Sequence, residues 1–275
     1  MNTRTFSGAI LVICLSGYLT QAQITGERLY GITALDNQLI TVDPTTGAGT
    51  VVGSVGASVS AYGLAYSGLS LYTFDQTAGA IRAIDPASGQ AGPIIDIGVG
   101  KIQGEGDLAF RGDGTGFLAT VFDASATPSN DLYEFNLSTR TSVRLGSTSV
   151  PLDGLAFDGA TLFGLGQTDG TLYTVNQTTA ALTAIGGPGF DKGSPFGAIA
   201  VAHDGTLFGA IDDRLYRIDK TTGLASALDP NVTDIGFSSV SGLAFAAVPE
   251  PSASYLLALA AGFALFCRRY RRAGV

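Results

Sequence analysis

Three acidic residues lie within or just before two of the small apolar segments that recur in this chain. These acidic residues are the first candidates for a binding site. Glu105 and Asp107 lie before or within the segment GDLAF at 106–110, and Asp153 begins the segment DGLAF at 153–157. Carboxylate oxygens grouped at strand ends can hold a cation, with Ca²⁺ as the candidate, or a basic ligand. The alternative is hydration, because acidic residues at strand ends usually face water. The first interpretation needs the two segments to be neighbouring strands.

The chain offers no second group of residues with the types and spacing of a catalytic centre. Its single histidine, His203, lies in the segment HDGT, where other repeats have turn sequences, so we predict a surface turn. A Ser-His-acid hydrolase would also need a G-x-S-x-G segment, which the sequence lacks. With one histidine and two cysteines, no His/Cys metal cluster is expected. The sequence therefore predicts no catalytic residues, no resident metal and no cofactor, with Ca²⁺ as the one candidate ligand.

Composition and charge exclude several classes of protein. The 275 residues include 38 Gly and are 45% hydrophobic but only 14% charged. The chain is thus too apolar for a disordered protein and too rich in Gly for a mainly helical one. Residues 23–251 carry 10 basic and 23 acidic side chains, a net charge of −13, with no basic stripe. We therefore expect no nucleic-acid partner, and anionic glycans would be repelled unless divalent cations bridged them.

A strand in which apolar and polar residues alternate occurs five times, and each copy runs into a turn. The five copies are 39–43, 81–85, 132–136, 172–176 and 215–219. Each copy ends in Asp or Asn, whose side chain can accept a hydrogen bond from the backbone two residues further on. Three of the turns end in Gly, which favours the left-handed conformation that closes a hairpin. Arg140 and Ala180 replace that Gly in the other two turns.

A second element, small and apolar, also occurs five times. Its copies are YGLAY at 62–66, GDLAF at 106–110, DGLAF at 153–157, GAIAV at 197–201 and SGLAF at 241–245. Their third residues are spaced by 44, 47, 44 and 44 positions. Four short strands in a unit of this length are typical of a β-propeller blade. The pattern is similar to that of secreted propellers of the YVTN and NHL type, and a two-sheet sandwich is the architectural alternative.

The phase of the repeats predicts how the ring closes. The unit that begins at Leu29 lacks its small apolar strand, whereas the segment at 241–245 has no outer strands after it. Pairing these two would complete five four-stranded blades and join the ends of the domain. We therefore predict an all-β fold, a five-bladed propeller over residues 23–248 with the small apolar strands innermost, followed by a single hydrophobic helix.

The first 22 residues have the features of a secretory signal peptide. Arg4 precedes an apolar run at 9–15, and small and polar residues lead to a predicted cleavage between Ala22 and Gln23. The apolar run is shorter than the roughly 20 residues of a membrane span, so an N-terminal anchor is the weaker alternative. The sequence predicts export of the domain that follows.

The C-terminal segment combines three parts in a fixed order. Pro249, Glu250 and Pro251 come first, an apolar stretch at 253–267 follows, and a basic cluster ends the segment. The cluster consists of Arg268, Arg269, Arg271 and Arg272, which are expected to act as a stop-transfer signal on the cytoplasmic side. This arrangement resembles the PEP-CTERM sorting signal of exported proteins in Gram-negative bacteria.

The resemblance implies that an exosortase, a membrane protease, recognises Pro249, Glu250 and Pro251 and cuts near them. An ordinary single-span anchor that is never cut is the alternative. The domains are then a signal peptide at 1–22, a propeller at 23–248 and a sorting signal at 249–275. The chain would be tethered on the periplasmic side before processing and would then reach the cell surface or the extracellular matrix.

The predicted function is that of a non-enzymatic surface or matrix propeller, with an exosortase as processing partner and extracellular polysaccharide or other surface proteins as further partners. The alternative is a secreted propeller enzyme, such as a lactonase or polysaccharide lyase, with a Ca²⁺-dependent site at the mouth of the channel. Fold alone licenses no activity. The positions of Glu105, Asp107 and Asp153 in the folded chain therefore bear directly on the choice between a non-enzymatic propeller and a Ca²⁺-dependent enzyme.

Overall fold

All the described strands belong to five antiparallel sheets. The computed structural model describes residues 24–101, 106–122, 129–189, 193, 197–228 and 234–249. The chain begins with three strands, β1 (Ile24–Thr33), β2 (Gln38–Val42) and β3 (Gly49–Ser54). The next sheet contains β4 (Ala61–Ser67), β5 (Ser70–Asp75), β6 (Ala80–Ile84) and β7 (Ala91–Ile95).

Three further sheets follow, each made of four strands that are consecutive along the chain. One contains β8 (Leu108–Phe110), β9 (Gly116–Ala119), β10 (Asp131–Asn136) and β11 (Thr141–Ser147). The next contains β12 (Leu152–Asp158), β13 (Thr161–Gly166), β14 (Leu172–Val175) and β15 (Leu182–Gly186). The last contains β16 (Gly197–Val201), β17 (Leu207–Ile211), β18 (Arg214–Ile218) and β19 (Ala225–Ala227).

The final strand, β20 (Val240–Pro249), joins the first sheet rather than the last. The strand order of that sheet is β20-β1-β2-β3, whereas each of the other four sheets contains consecutive strands only. The backbone N–H of Ala34, just after β1, donates to the carbonyl of Ser239, just before β20, at 2.9 Å. The two strands therefore run in opposite directions. The predicted closure is confirmed, and the fold is a propeller of five four-stranded blades.

The hydrophobic core is divided among the five interfaces between blades. The blades are numbered I to V in chain order, and blade I is the sheet β20-β1-β2-β3. Blades I and II, for example, share a cluster that contains Ile32 and Leu39 from one and Leu64 and Leu71 from the other. The remaining consecutive pairs share equivalent clusters, and Leu29 packs with Phe208 across the interface between blades V and I. A cluster at every interface means that the ring has no open side. No α-helix is present in the ranges that the structure describes.

The turns between the third and fourth strands form as predicted. In each, the Asp or Asn side chain accepts a hydrogen bond from the backbone two residues on, as Asp43 does from Thr45 at 2.7 Å and Asn176 from Thr178 at 2.9 Å. The fifth residue of each turn has a positive φ, including Arg140 at 57° and Ala180 at 60°. These two non-Gly residues adopt the left-handed conformation that Gly adopts in the other three turns.

Gly26–Val248 form one compact unit. The residues predicted as signal peptide, and Glu250 onward in the predicted sorting signal, lie outside the described ranges, as does the predicted hydrophobic helix. Within the described ranges there is no helix that could cross a bilayer.

Candidate functional site

The small apolar segments are the innermost strands and surround the axis of the ring. Three residues from each of them line a cavity of about 100 Å³. These are Leu64, Ala65, Tyr66, Leu108, Ala109, Phe110, Leu155, Ala156, Phe157, Ile199, Ala200, Val201, Leu243, Ala244 and Phe245. The lining side chains are almost all apolar. The cavity therefore has few polar side chains with which to orient a ligand.

Backbones of neighbouring innermost strands approach closely one residue before the Leu or Ile of each segment, where four copies have a small residue. A Cβ added at Gly242 would lie 2.3 Å from the backbone N of Leu64, and one at Gly63 would lie 2.5 Å from Oδ1 of Asp107. A Cβ added at Gly154 would similarly lie 3.0 Å from the backbone N of Ile199. Asp107 occupies the equivalent position in its segment, where the other four copies have Gly or Ala.

Asp107 joins the innermost strands of three blades. Its Oδ1 accepts hydrogen bonds from the backbone N–H of Leu64 at 3.1 Å and of Leu108 at 2.8 Å. Its Oδ2 accepts one from the backbone N–H of Leu155 at 2.7 Å. The side chain thus satisfies donors from β4, β8 and β12, which belong to blades II, III and IV. This arrangement explains why an acidic residue is tolerated where the aligned residues are Gly or Ala.

The environment of Asp107 also changes its acidity. The residue is 0% exposed, and this burial raises its pKa well above the usual range. The three backbone donors act in the opposite direction, and the charge of nearby Asp153 adds to the increase. Asp153 is itself only 1% exposed. Hydration of exposed strand ends, the alternative given by the sequence, is therefore wrong for both residues.

The predicted acidic group is only partly visible. Asp107 and Asp153 are close enough to interact electrostatically, whereas Glu105 lies outside the described residues. Among the described residues, no three His, Cys, Asp or Glu side chains are grouped in a way that could hold a metal ion. Because Asp107 is enclosed and already accepts three hydrogen bonds, its carboxylate is suited to holding strands together rather than to receiving a ligand.

One polar residue at the axis was missed by the sequence argument. Ser241 occupies the position in β20 that Asp153 occupies in β12, and it is 1% exposed. Its Oγ has no hydrogen-bond partner among the described residues. The alignment of the repeats was the available signal, because it places Ser241 and Asp153 at equivalent positions. His203, by contrast, lies exposed in the turn before β17, as predicted.

The second candidate site is the point where β20 reaches the predicted sorting signal. Pro249, the first residue of the Pro-Glu-Pro sequence, is also the last residue of β20. Three residues before it, Ala246 is 4% exposed and packs in the core between blades I and II. Glu250, Pro251 and the four arginines from Arg268 to Arg272 lie outside the described residues. The closing strand and the Pro-Glu-Pro sequence therefore share Pro249.

A comparison with protein families identifies this C-terminal segment. Residues 247–272 match the family model described as the PEP-CTERM protein-sorting motif. The chain carries a PEP-CTERM sorting motif. The motif implies export and recognition by an exosortase, and its first three residues, 247–249, belong to β20. The motif covers a small part of the chain, so it says nothing about what the propeller binds.

Comparisons of the whole chain are less informative. None of the curated proteins matches it. Among solved structures, it is similar to XC5397 from Xanthomonas campestris, described as a gluconolactonase important in glucose secondary metabolic pathways. The two are 16% identical with a TM-score of 0.48, over 74% of this chain and 80% of that one. A likeness at this level says nothing about shared chemistry.

Proposed function

We propose that this chain is a non-enzymatic β-propeller that an exosortase-type enzyme processes at the membrane and releases to the cell surface or extracellular matrix. The observation that carries the proposal is the PEP-CTERM motif at 247–272, whose first three residues are the last three of the closing strand. The buried, hydrogen-bonded state of Asp107 supports a structural rather than a catalytic use of the axis. Signal-peptide cleavage between Ala22 and Gln23 precedes this step in the proposal.

The charge of the domain supports a choice among partners. Hydrogen bonds from their own turns lower the pKa of Asp43, Asp85 and Asp219, so these turns stay negatively charged into the acidic range. Together with the net charge of −13 over residues 23–251, this favours neutral or basic surface polymers and proteins as partners. Anionic polysaccharide would bind only through bridging divalent cations.

The proposal is tested by the intact mass of the protein in each cell fraction. The mature form is expected to lack residues 1–22 and most of the segment after Pro251. Replacing Pro249 and Pro251 with Ala should remove the rigid recognition sequence, so that a membrane-bound form with an intact tail accumulates. A mature wild-type protein that still carries residues 252–275 would contradict processing and would support the simple anchor.

The enzymatic alternative is tested on the purified domain by Ca²⁺ titration. Calorimetry should show no heat of binding and no rise in the melting temperature, because the carboxylates described at the axis, those of Asp107 and Asp153, are buried. Binding with a dissociation constant in the micromolar range, lost on replacing Glu105 with Gln, would favour the alternative.

A further inference from the structure

The closing strand and the sorting motif share residues, and this overlap limits how an enzyme can reach the motif. The motif begins at residue 247, one residue after the buried core residue Ala246. Residues 247–249 are part of β20, which is hydrogen-bonded to β1. A protease that binds its substrate as an extended segment needs residues on both sides of the bond it cuts. Here the residues on the domain side already belong to a sheet.

The end of β20 is paired with the beginning of β1. The contact between Ala34 and Ser239 fixes the other end of the strand pair, and both strands are 10 residues long. The first residues of β1, from Gly26 onward, therefore lie beside the last residues of β20. Separating the two strands over a few residues breaks backbone hydrogen bonds while the rest of the blade stays folded, a local opening of the kind that limits proteolysis of native proteins.

We propose that the exosortase engages the motif only after the last residues of β20 separate from β1, so that this strand pair sets the rate of processing. The inference rests on the proposed function and adds a regulatory step to it. Local opening is a pre-equilibrium, and the observed rate is the rate for the open form multiplied by the fraction open. A change that weakens the pairing of β20 with β1 should therefore speed up processing, and a change that strengthens the pairing should slow it.

Two variants alter the pairing in opposite directions. A six-residue Gly-Ser linker inserted between Ala246 and Ala247 keeps all of 247–272 but frees it from the strand. We expect precursor to disappear roughly tenfold faster, equivalent to about 1.4 kcal/mol, which is the net value of one or two backbone hydrogen bonds. Gly26→Val adds a strand-favouring side chain at a position where a Cβ meets nothing within 4 Å. It should slow processing several-fold.

The measurement is a pulse-chase of the full-length precursor in cells, with intact mass to identify the product. The control carries the same linker between Gly68 and Leu69, in the exposed turn between β4 and β5, and should be processed at the wild-type rate. Melting temperatures of the purified domains show whether each variant is folded.

The outcomes separate the two proposals. Wild-type rates for both the Ala246–Ala247 linker and Gly26→Val would overturn the opening step and leave the proposed function standing. A faster linker variant with an unchanged Gly26→Val variant would show that the bulk of the domain alone limits access, which also overturns the opening step. A wild-type precursor that is never cut would overturn both.

Discussion

At the scale of single residues, Asp107 shows how one side chain can serve three blades. Removing its carboxylate leaves three enclosed backbone donors without an acceptor, each worth about 1–3 kcal/mol, and this exceeds the relief from burying one charge less. Asp107→Ala should therefore lower the free energy of unfolding by about 3 kcal/mol, measured by denaturant titration at neutral pH. Asp36→Ala, at an exposed turn residue, is the control and should stay within about 0.5 kcal/mol of the parent.

The raised pKa of Asp107 also predicts a pH dependence. Between the unfolded value of about 3.9 and the raised value, the folded protein binds more protons than the unfolded chain, so stability falls as pH rises. The stability of the wild type relative to Asp107→Ala should therefore grow as pH falls from neutral into this window. The aspartates of the turns, whose pKa values are lowered, act in the opposite direction, but they are common to both proteins and cancel. A pH-independent difference would contradict the burial argument.

Arg140 holds a left-handed conformation that costs a non-Gly residue about 1–2 kcal/mol. Its side chain is exposed, so Arg140→Gly removes this strain at the cost of a more flexible unfolded chain. We expect a gain of about 0.5–1 kcal/mol in the free energy of unfolding. Gly223→Ala at the equivalent turn position should do the opposite, because φ is +77° and the new Cβ would lie 2.1 Å from the carbonyl O of Gly186. A loss of stability in Arg140→Gly would mean that its side-chain contacts outweigh the strain.

At the scale of elements, the outermost strands interlock with the turns of the following blade. A Cβ on Gly186 of β15 would lie 2.0 Å from the carbonyl O of Thr222, and one on Gly53 of β3 would lie 2.1 Å from that of Ser88. Gly186→Ala must therefore push blades IV and V apart, and we expect it to lower the melting temperature by about 4–12 °C, as a loss of roughly 2–3 kcal/mol would in a domain of this size. Gly187→Ala, one residue away in open space, should melt within about 2 °C of the parent.

The inner and middle strands could be predicted because each repeats a buried, alternating or small-residue pattern five times. The outermost strands have no such repeated pattern, since an edge strand exposes much of both faces and leaves no clear alternation, as in β7 and β19. The burial of Asp107 escaped prediction because a single Asp before a strand has the same appearance as a hydrated strand end. The four small residues aligned with it were the sign that this position faces a crowded axis.

At the scale of the whole molecule, the ring depends on a strand that is synthesised last. Leu243 of β20 packs in the cluster between blades V and I, while Ala244 and Ala246 pack in the cluster between blades I and II. A chain that ends at Ser239 therefore loses cover at two interfaces and exposes an edge of β1. It should lose cooperative unfolding or melt well below the parent. The fold is thus completed only when the residues next to the sorting motif are in place.

If position in the ring matters and order along the chain does not, a circular permutant should restore what truncation removes. Joining Val248 to Gly26 through a short Gly-Ser linker is feasible because these ends belong to neighbouring antiparallel strands. A new N-terminus at Leu69, 69% exposed in the turn between β4 and β5, moves the closure to blade II. This permutant keeps all 20 of the described strands and should melt cooperatively within a few degrees of the parent domain in a calorimetric scan. If the permutant is unfolded while the protein that ends at Ser239 is stable, the pairing of β20 with β1 is not what holds the ring together.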